Sequence, residues 1–87
     1  MPGEYRVDLV SAADRELKAL HDPMLRRVLA ALVSLGEDPR PRGCTKLVGG
    51  DPKYRLRVGD YRVVYEVDDV DRSVTVHRIR HRREVYD

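Results

Sequence analysis

The first apolar residues of the chain alternate with charged ones. Tyr5, Val7 and Leu9 stand two positions apart, with a charged residue in each gap. A period of two is that of a β-strand, in which successive side chains point to opposite faces. The pattern therefore predicts a strand over residues 4–10 that buries one face.

Helical spacing replaces this alternation directly afterwards. Apolar residues recur three and four positions apart, which predicts helices over residues 12–20 and 23–35. Ser11 is expected to cap the first helix, and Gly36 is expected to form the C-terminal cap of the second. The buried stripe of the second helix is expected to contain Leu25, Val28, Leu29, Leu32 and Val33. The two segments thus predict an α-helical hairpin.

The second half of the chain predicts an antiparallel meander. Residues 37–52 are rich in Pro and Gly and form a predicted connection, with at most a short strand around residues 46–48. Further strands are predicted at residues 53–58, 61–67 and 73–80. The whole chain, residues 1–87, is expected to be one α+β domain, in which an N-terminal strand and a helical hairpin precede an antiparallel sheet of three or four strands.

A two-residue turn fixes the register of the predicted sheet. With Gly59-Asp60 as the turn, Arg57 lies opposite Arg62, and opposed residues project from the same face. One face is almost wholly apolar and is expected to pack on the helices. It carries Tyr54, Leu56, Val58, Tyr61, Val63, Tyr65 and Val67. The other face carries Arg55, Arg57, Arg62, Val64 and Glu66.

The polar face of this hairpin has two interpretations. Antiparallel sheets commonly have one solvated face, and most exposed arginines are only solvated. However, like charges placed directly opposite destabilise a sheet by up to about 1 kcal/mol, so stability does not explain the pair of Arg57 and Arg62. An anionic ligand would relieve the repulsion. The clustering of arginines therefore favours phosphate binding.

The last predicted strand breaks its own alternation. Val74 and Val76 share one parity and Ile79 has the other, so a β-bulge or the strand end is expected between them. A basic segment follows, in which His81 is either a solvated histidine or a proton-transfer group. Tyr86 either covers the core or stacks on an unpaired base.

Composition adds a charge asymmetry and an expected cellular compartment. The formal net charge is only +2, but the part before Pro39 carries about −2 and the part from Arg40 onward about +4. Most basic residues are arginines, whose planar fork suits phosphate. Cys44 is the only cysteine, which excludes an internal disulfide and predicts a reducing cytoplasm. No stretch approaches the roughly 20 apolar residues of a membrane span.

Three segments resemble conserved segments of the RelE/ParE toxin superfamily. They are Tyr54-Arg55-Leu56-Arg57, then Gly59-Asp60-Tyr61-Arg62-Val63-Val64-Tyr65, then His81-Arg82-Arg83-Glu84-Val85-Tyr86. The predicted order of strand, helical hairpin and antiparallel sheet is also similar to the RelE-like fold. The C-terminal His-Arg pair and the tyrosine favour the RelE branch over the ParE branch.

The resemblance implies a toxin that enters the ribosomal A site and cleaves messenger RNA without a metal or cofactor. The ribose 2′-hydroxyl attacks the adjacent phosphate, so the protein must orient it, stabilise the added negative charge and protonate the leaving 5′-oxygen. The catalytic positions that the resemblance implies are Arg55, Arg57, Arg62, Arg82 and Tyr86. The basic residues expected to contact RNA beside them are Lys46, Lys53, Arg80 and Arg83.

One position departs from the family. Arg57 stands where well-known members have a lysine considered as the general base, and a guanidinium with a pKa above about 12 gives up a proton very poorly. The residue that acts as the general base is therefore not assigned. We hypothesise that His81 accepts the proton, or shares proton transfer with Arg82.

The resemblance also implies partners and leaves alternatives. A small RelB-like antitoxin is the expected protein partner, with a toxin–antitoxin heterotetramer as one expected assembly, and the ribosome and messenger RNA are the expected targets. The main alternative is a ParE-like toxin that inhibits DNA gyrase and has no RNase activity. A third is a non-enzymatic RNA-binding module, although the polar hairpin face offers no aromatic residue for base stacking.

Overall fold

The computed structural model describes residues 4–47 and 53–84, in which two helices cover one face of a five-stranded sheet. The elements in chain order are β1 (Arg6–Leu9), α1 (Ser11–Lys18), α2 (Met24–Glu37), β2 (Thr45–Lys46), β3 (Lys53–Val58), β4 (Tyr61–Asp68), β5 (Ser73–His81) and a 3₁₀ turn (Arg82–Glu84). The predicted α+β fold is confirmed. Every predicted helix and strand is present, with ends that differ by at most two residues.

The order of strands in the sheet is β1-β5-β4-β3-β2. The neighbours β2, β3, β4 and β5 pair antiparallel, as the meander predicts, whereas β1 pairs parallel with β5. Parallel partners need a long connection, and the two helices are part of the chain between them. The N-terminal strand therefore joins the same sheet as its fifth member, at the edge beside the last strand.

The turn between β3 and β4 sets the register as predicted. Gly59 adopts a positive φ of 59°, which a glycine reaches without the steric cost of a side chain. Arg57 pairs with Arg62 across the two strands. Val63 and Tyr65 are fully buried on the face that packs on the helices, and the Tyr65 hydroxyl donates a 2.8 Å hydrogen bond to the carbonyl oxygen of Pro39. Burial also raises the pKa of Tyr65.

Of the two alternatives predicted for the last strand, a β-bulge and not the strand end is present, and it lies at His77. Val64 of β4 pairs with Arg78, and the next residue, Tyr65, pairs with Val76. His77 is therefore an extra residue on β5 without an opposite partner. Because of this insertion Val76 and Ile79 are both buried, at 0% and 2% exposure, despite their opposite parity.

Two predictions at helix ends are wrong. Ser11 is the first residue of α1, and Val10 occupies the N-cap without any side-chain hydrogen bond. Gly36 lies inside α2, whose C-cap is Asp38. The glycine is required by packing instead: a Cβ there would lie 3.1 Å from the carbonyl oxygen of Tyr5, whose N–H donates to the Gly36 oxygen at 3.0 Å.

The buried stripe of α2 is narrower than predicted. Val28, Leu32 and Leu35 are buried, whereas Leu29 is 42% and Val33 is 68% exposed. These two exposed side chains border a shallow apolar groove between α2 and β1. Leu29 and Val33 fit the helical spacing of apolar residues, which is why the sequence includes them in the stripe. The sheet, however, packs only against the side of α2 that carries the three buried residues.

A cluster at one end of the sheet ties the chain segments together. Arg40 follows α2 and donates to both carboxylate oxygens of Asp69, at 3.1 and 2.8 Å, in the turn between β4 and β5. The Tyr5 hydroxyl donates to the same carboxylate at 2.7 Å. The hydrogen bonds from Arg40 and Tyr5 lower the pKa of Asp69.

Glu16 of α1 closes the free edge of β5. The strand β1 pairs with β5 only as far as Val76, so the later residues of β5 have no strand on that side. The Glu16 carboxylate accepts hydrogen bonds from the Ile79 N–H at 2.7 Å and from Arg78 Nη2 at 2.8 Å. Partial burial opposes ionisation of Glu16, but these bonds and the nearby Arg80 outweigh it and hold its pKa below the ordinary value.

We expect Gly36→Val to lower the free energy of unfolding by about 1–3 kcal/mol, because the larger side chain overpacks the contact with β1. Chemical denaturation measures the change. Ser34→Val in the same helix is the control, since Ser34 is exposed. Equal stability of the two variants would show that β1 does not pack closely on this turn of α2.

We expect Glu16→Gln to lower the free energy of unfolding at pH 7 by about 1–3 kcal/mol, since hydrogen bonds to a charged group are lost. A lowered carboxyl pKa stabilises the fold above the ordinary pKa of about 4.3, and this contribution disappears as the pH falls through the lowered value. Urea unfolding from pH 7 down to pH 3 tests this. Glu37→Gln, at an exposed position, should change little at any pH; a Glu16→Gln effect that is undiminished at pH 3 contradicts the assignment.

Candidate nucleic-acid interface

The sheet face opposite the helices gathers basic side chains from three adjacent strands. Arg57, Arg62 and Arg80 lie side by side on β3, β4 and β5, because Arg62 pairs with both of the others. The neighbouring row contains Arg55, Val64 and Arg78 in the same order. We call this surface the basic face, and it consists of Lys53, Arg55, Arg57, Arg62, Arg78 and Arg80.

The β-bulge brings the last strand into this face. Arg78 and Arg80 have the same parity as Val74 and Val76, which point to the core. After the inserted His77 the parity reverses, and both arginines share the face of Arg62. The sequence prediction counted Arg80 as an RNA contact but did not place Arg78 on this face. The signal in the sequence that could have placed Arg78 on this face is the apolar Ile79, because a residue next to a core-facing one points to the opposite face.

Arg62 occupies the centre of the basic face. Its Nη1 atom has an accessible area below 1 Å² and, among the described residues, is the one buried side-chain polar atom without a hydrogen-bond partner. A shielded donor without a partner typically costs about 1–3 kcal/mol, so such atoms are rare. The oxygen of a bound anion, once neighbouring side chains give way, is a partner of the required kind.

Carboxylates offset the charge of this face unevenly. Glu16 reaches round the edge of β5 to Arg78, and its Oε2 lies 3.6 Å from Arg80 Nε. Within residues 4–47 and 53–84, Arg57 and Arg62 form no ion pair. Arg57 donates only a long 3.5 Å hydrogen bond from Nε to the carbonyl oxygen of Gly59. The centre of the face is thus the part with the least compensated positive charge.

His81 lies on the other side of the sheet from these arginines. It pairs with Tyr61, and the two rings meet edge to face with centroids 5.4 Å apart. Its Nδ1 accepts a 3.3 Å hydrogen bond from the Arg83 N–H. The structure therefore does not bring His81 together with the basic face. Its role as a proton carrier stays a prediction, and one that this placement does not support.

The segment after β5 stays close to the β3–β4 turn. The Arg82 N–H donates a 2.7 Å hydrogen bond to the carbonyl oxygen of Asp60, and Arg82 Nε lies 3.9 Å from Asp60 Oδ1. Arg83 is exposed in the same 3₁₀ turn. Tyr86, the predicted stacking residue, lies outside the described residues. Arg82 is thus held at the end of the hairpin that carries Arg57 and Arg62.

The two lysines predicted to contact RNA are on opposite faces. Lys53 pairs with Glu66 and belongs to the basic face. Lys46 pairs with Tyr54, whose ring stacks on Tyr65 at a centroid distance of 5.7 Å on the helix side. Lys46 is therefore exposed at the edge strand β2, away from the arginines.

Sequence reasoning missed one polar pair on the basic-face side of the sheet. His77 Nε2 lies 3.1 Å from Glu66 Oε1, and Glu66 has the parity of Arg62 in β4. Both side chains are partly buried, at 31% and 40% exposure. The bulge residue is therefore a histidine beside the arginines. His77 directly follows Val76, an apolar residue expected to face the core, and this local signal could have predicted that His77 lies on the opposite face.

The described residues contain no group of three or more His, Cys, Asp or Glu side chains arranged to hold a metal ion. None of the helices in the described parts of the chain is long and apolar enough to cross a membrane.

Comparison with known proteins identifies the family. Residues 7–86 match the sequence model of a family described as the ParE toxin of type II toxin-antitoxin system, parDE. A candidate RelE1 toxin of Methanocaldococcus jannaschii is 28% identical over 86 residues, which cover 95% of this chain and 96% of the relative.

Solved structures of RelE toxins share the fold. The archaeal RelE–RelB complex from Pyrococcus horikoshii OT3 contains a chain that matches with a TM-score of 0.82 and 31% identity, over 94% of this chain and 99% of that one. The isolated Escherichia coli RelE toxin matches with a TM-score of 0.78 and 28% identity, over 88% of this chain and 83% of that one. The protein with this basic sheet face therefore belongs to the RelE/ParE family of toxins of type II toxin–antitoxin systems.

Proposed function

We propose that the protein is a ribosome-dependent endoribonuclease toxin that cleaves messenger RNA in the ribosomal A site. The observation that carries the proposal is the row of Arg57, Arg62 and Arg80, with Arg62 Nη1 shielded and unpaired. Three guanidinium groups side by side repel one another and weaken the sheet. A phosphate supplies a negative charge next to Arg57 and Arg62, which form no ion pair among the described residues, and an acceptor oxygen for Arg62.

The arginines can supply the electrostatic part of RNA cleavage. When the 2′-hydroxyl attacks the adjacent phosphorus, negative charge builds up on the non-bridging phosphate oxygens. Arg55, Arg57 and Arg62 project from two paired strands toward one region, and strands hold such donors in place before the substrate arrives. Guanidinium groups are strong donors to this charge but poor proton acceptors, so their role is to bind and stabilise the phosphate.

Protonation of the leaving group depends on the C-terminal segment. In the reaction we propose, a 2′-oxygen–phosphorus bond forms, the bond from phosphorus to the 5′-oxygen breaks, and the 5′-oxygen takes a proton from Arg82. A guanidinium is a weak acid, but the departing alkoxide is a stronger base than neutral guanidine and can take its proton. The position of Arg82 beside Asp60, at the end of the arginine-bearing hairpin, supports this role. The resemblance assigns base stacking to Tyr86.

A RelB-like antitoxin is the proposed protein partner. Complexes of RelE with RelB from several organisms are among the structures that share this fold. An antitoxin that covers the basic face would compete with the phosphate backbone of RNA for the same arginines. The proposed target places the protein in the cytoplasm, where ribosomes and messenger RNA are.

A ParE-like toxin that inhibits DNA gyrase is the second candidate. The description of the matching family, which names ParE, favours it. Both candidates use the same scaffold, and function depends on the site rather than on the fold. The basic row and the segment from His81 to Tyr86 support the nuclease, because gyrase inhibition needs no group that positions and cleaves RNA.

We expect Arg62→Ala to lower the rate of messenger RNA cleavage about 10²–10³-fold, because one donor to the developing charge is removed. The assay maps the 5′ ends of RNA after incubation with purified, programmed ribosomes. Arg26→Ala is the matched control, since Arg26 is an exposed arginine on α2 whose partner is Asp22. It should cleave at the parent rate.

The same preparations distinguish the two candidate functions. A nuclease produces cuts at fixed positions within codons and leaves gyrase supercoiling unchanged. Supercoiling inhibition by the parent protein, without cuts on programmed ribosomes, would overturn the nuclease proposal and select the ParE-like function. Equal cleavage by Arg62→Ala and the parent would show that the basic row does not bind the reacting phosphate.

A further inference from the structure

The bulge residue His77 stands beside the arginine rows and has a carboxylate partner. Its Nε2 lies 3.1 Å from Glu66 Oε1, on the side of the sheet that carries Arg55 and Arg62. The row of Arg55, Val64 and Arg78 is adjacent to it along the strands. An imidazole on β5 thus lies beside the row of the basic face that contains Arg55 and Arg78.

The bulge explains how a histidine comes to lie there. Residues 76 and 78 pair with consecutive residues of β4, so His77 has no directly opposite residue on that strand. Bulges often redirect a side chain next to an active site. Glu66 on the adjacent strand then fixes the direction of the ring.

The contact with Glu66 also selects a tautomer. A carboxylate accepts but does not donate hydrogen bonds, so the neutral imidazole places its proton on Nε2 and donates it to Glu66. Nδ1 then carries the lone pair. A base oriented by a carboxylate through its other nitrogen is the general arrangement for taking a proton from a hydroxyl group.

We propose that His77, oriented by Glu66, is the general base of the cleavage reaction, a role that rests on the proposed RNase function. Nδ1 of His77 accepts the proton of the 2′-hydroxyl while the 2′-oxygen–phosphorus bond forms. The bond to the 5′-oxygen breaks, and that oxygen receives its proton from Arg82. The imidazolium and Arg82 return to their starting states by exchange with water. His77 thereby supplies the proton acceptor that Arg57 cannot be.

The surroundings of His77 contain charged groups from every adjacent strand. Glu66 lies on β4, Lys53 pairs with Glu66 from β3, and Arg78 follows on β5. On β1, Asp8 pairs with Thr75 and so lies on the same side of the sheet. Within the described part of the chain, His77 is the imidazole in this set, and an imidazole is the side chain that most often transfers protons in catalysis.

The three histidines of the chain allow a matched test. His77→Gln, His81→Gln and His21→Gln each remove one imidazole, and His21 is exposed between the helices. Single-turnover cleavage on programmed ribosomes is measured from pH 5.5 to 8.5 at saturating toxin. We expect His77→Gln to lower the rate about 10²–10⁴-fold, with the half-saturating toxin concentration unchanged. His21→Gln should match the parent.

The pH profile separates a base from a structural residue. The parent rate should rise with pH and level off as the base loses its proton, and this rise should disappear in His77→Gln. Glu66→Gln provides a second variant that keeps the size of the side chain. Its amide can donate to Nε2 and so move the imidazole proton to Nδ1, which should slow cleavage at least about tenfold. Far-ultraviolet circular dichroism and thermal unfolding verify that each variant is folded.

The outcomes distinguish this proposal from the proposed function. If the parent cleaves and His77→Gln and Glu66→Gln stay within about threefold of it, His77 is not the base although the nuclease assignment stands. If the rate rises with pH in His77→Gln but no longer does so in His81→Gln, His81 and not His77 is the general base, and the proposal is wrong. A parent protein that does not cleave RNA overturns both. If His77→Gln does not fold, the rate and pH profile of Glu66→Gln decide.

Discussion

The buried face of the sheet has to stay continuous under the helices, and the bulge at His77 is how β5 achieves this. Val76 and Ile79 both reach the core, although strict alternation would expose one of them. The inserted residue reverses the parity of everything that follows it. Arg78 and Arg80 are thereby turned to the open side, where they meet Arg62. The site is thus a consequence of a packing requirement on the opposite face.

Electrostatic repulsion is concentrated where the fold is otherwise most regular. The hairpin of β3 and β4 has an uninterrupted register, and yet it places Arg57 directly against Arg62. Natural proteins violate local rules of stability mainly at functional sites. Glu16 reduces the repulsion only at the edge of β5, where it also satisfies the Ile79 N–H. The centre of the face keeps its charge, which is what an anionic substrate requires.

The two faces of the sheet have different roles in this structure. The helices and the apolar face carry the core, and Gly36 lets α2 approach β1 at backbone distance. The proposed chemistry lies on the other face, with groups that strands hold in fixed rows. Proton transfer and phosphate binding need different side chains, since a guanidinium binds phosphate well and accepts protons poorly. In the reaction we propose, the pair of Glu66 and His77 adds an acid–base group to the same surface.

Local patterns in the sequence determined the strands, the helices, the turn at Gly59 and the presence of either a bulge or a strand end before Ile79. These features depend on neighbours a few positions away, because a two-residue turn and a period of two fix register without reference to the rest of the chain. The family resemblance and the opposition of Arg57 and Arg62 followed from the same local information.

Only the tertiary structure decided which distant groups meet. Glu16 contacts Ile79 across 63 positions of sequence, and β1 pairs with the last strand although it is first in the chain. The direction of His81 away from the arginines depends on the parity change at the bulge. Contacts of this kind follow from how the helices carry the chain across the sheet, so no short pattern in the sequence contains them.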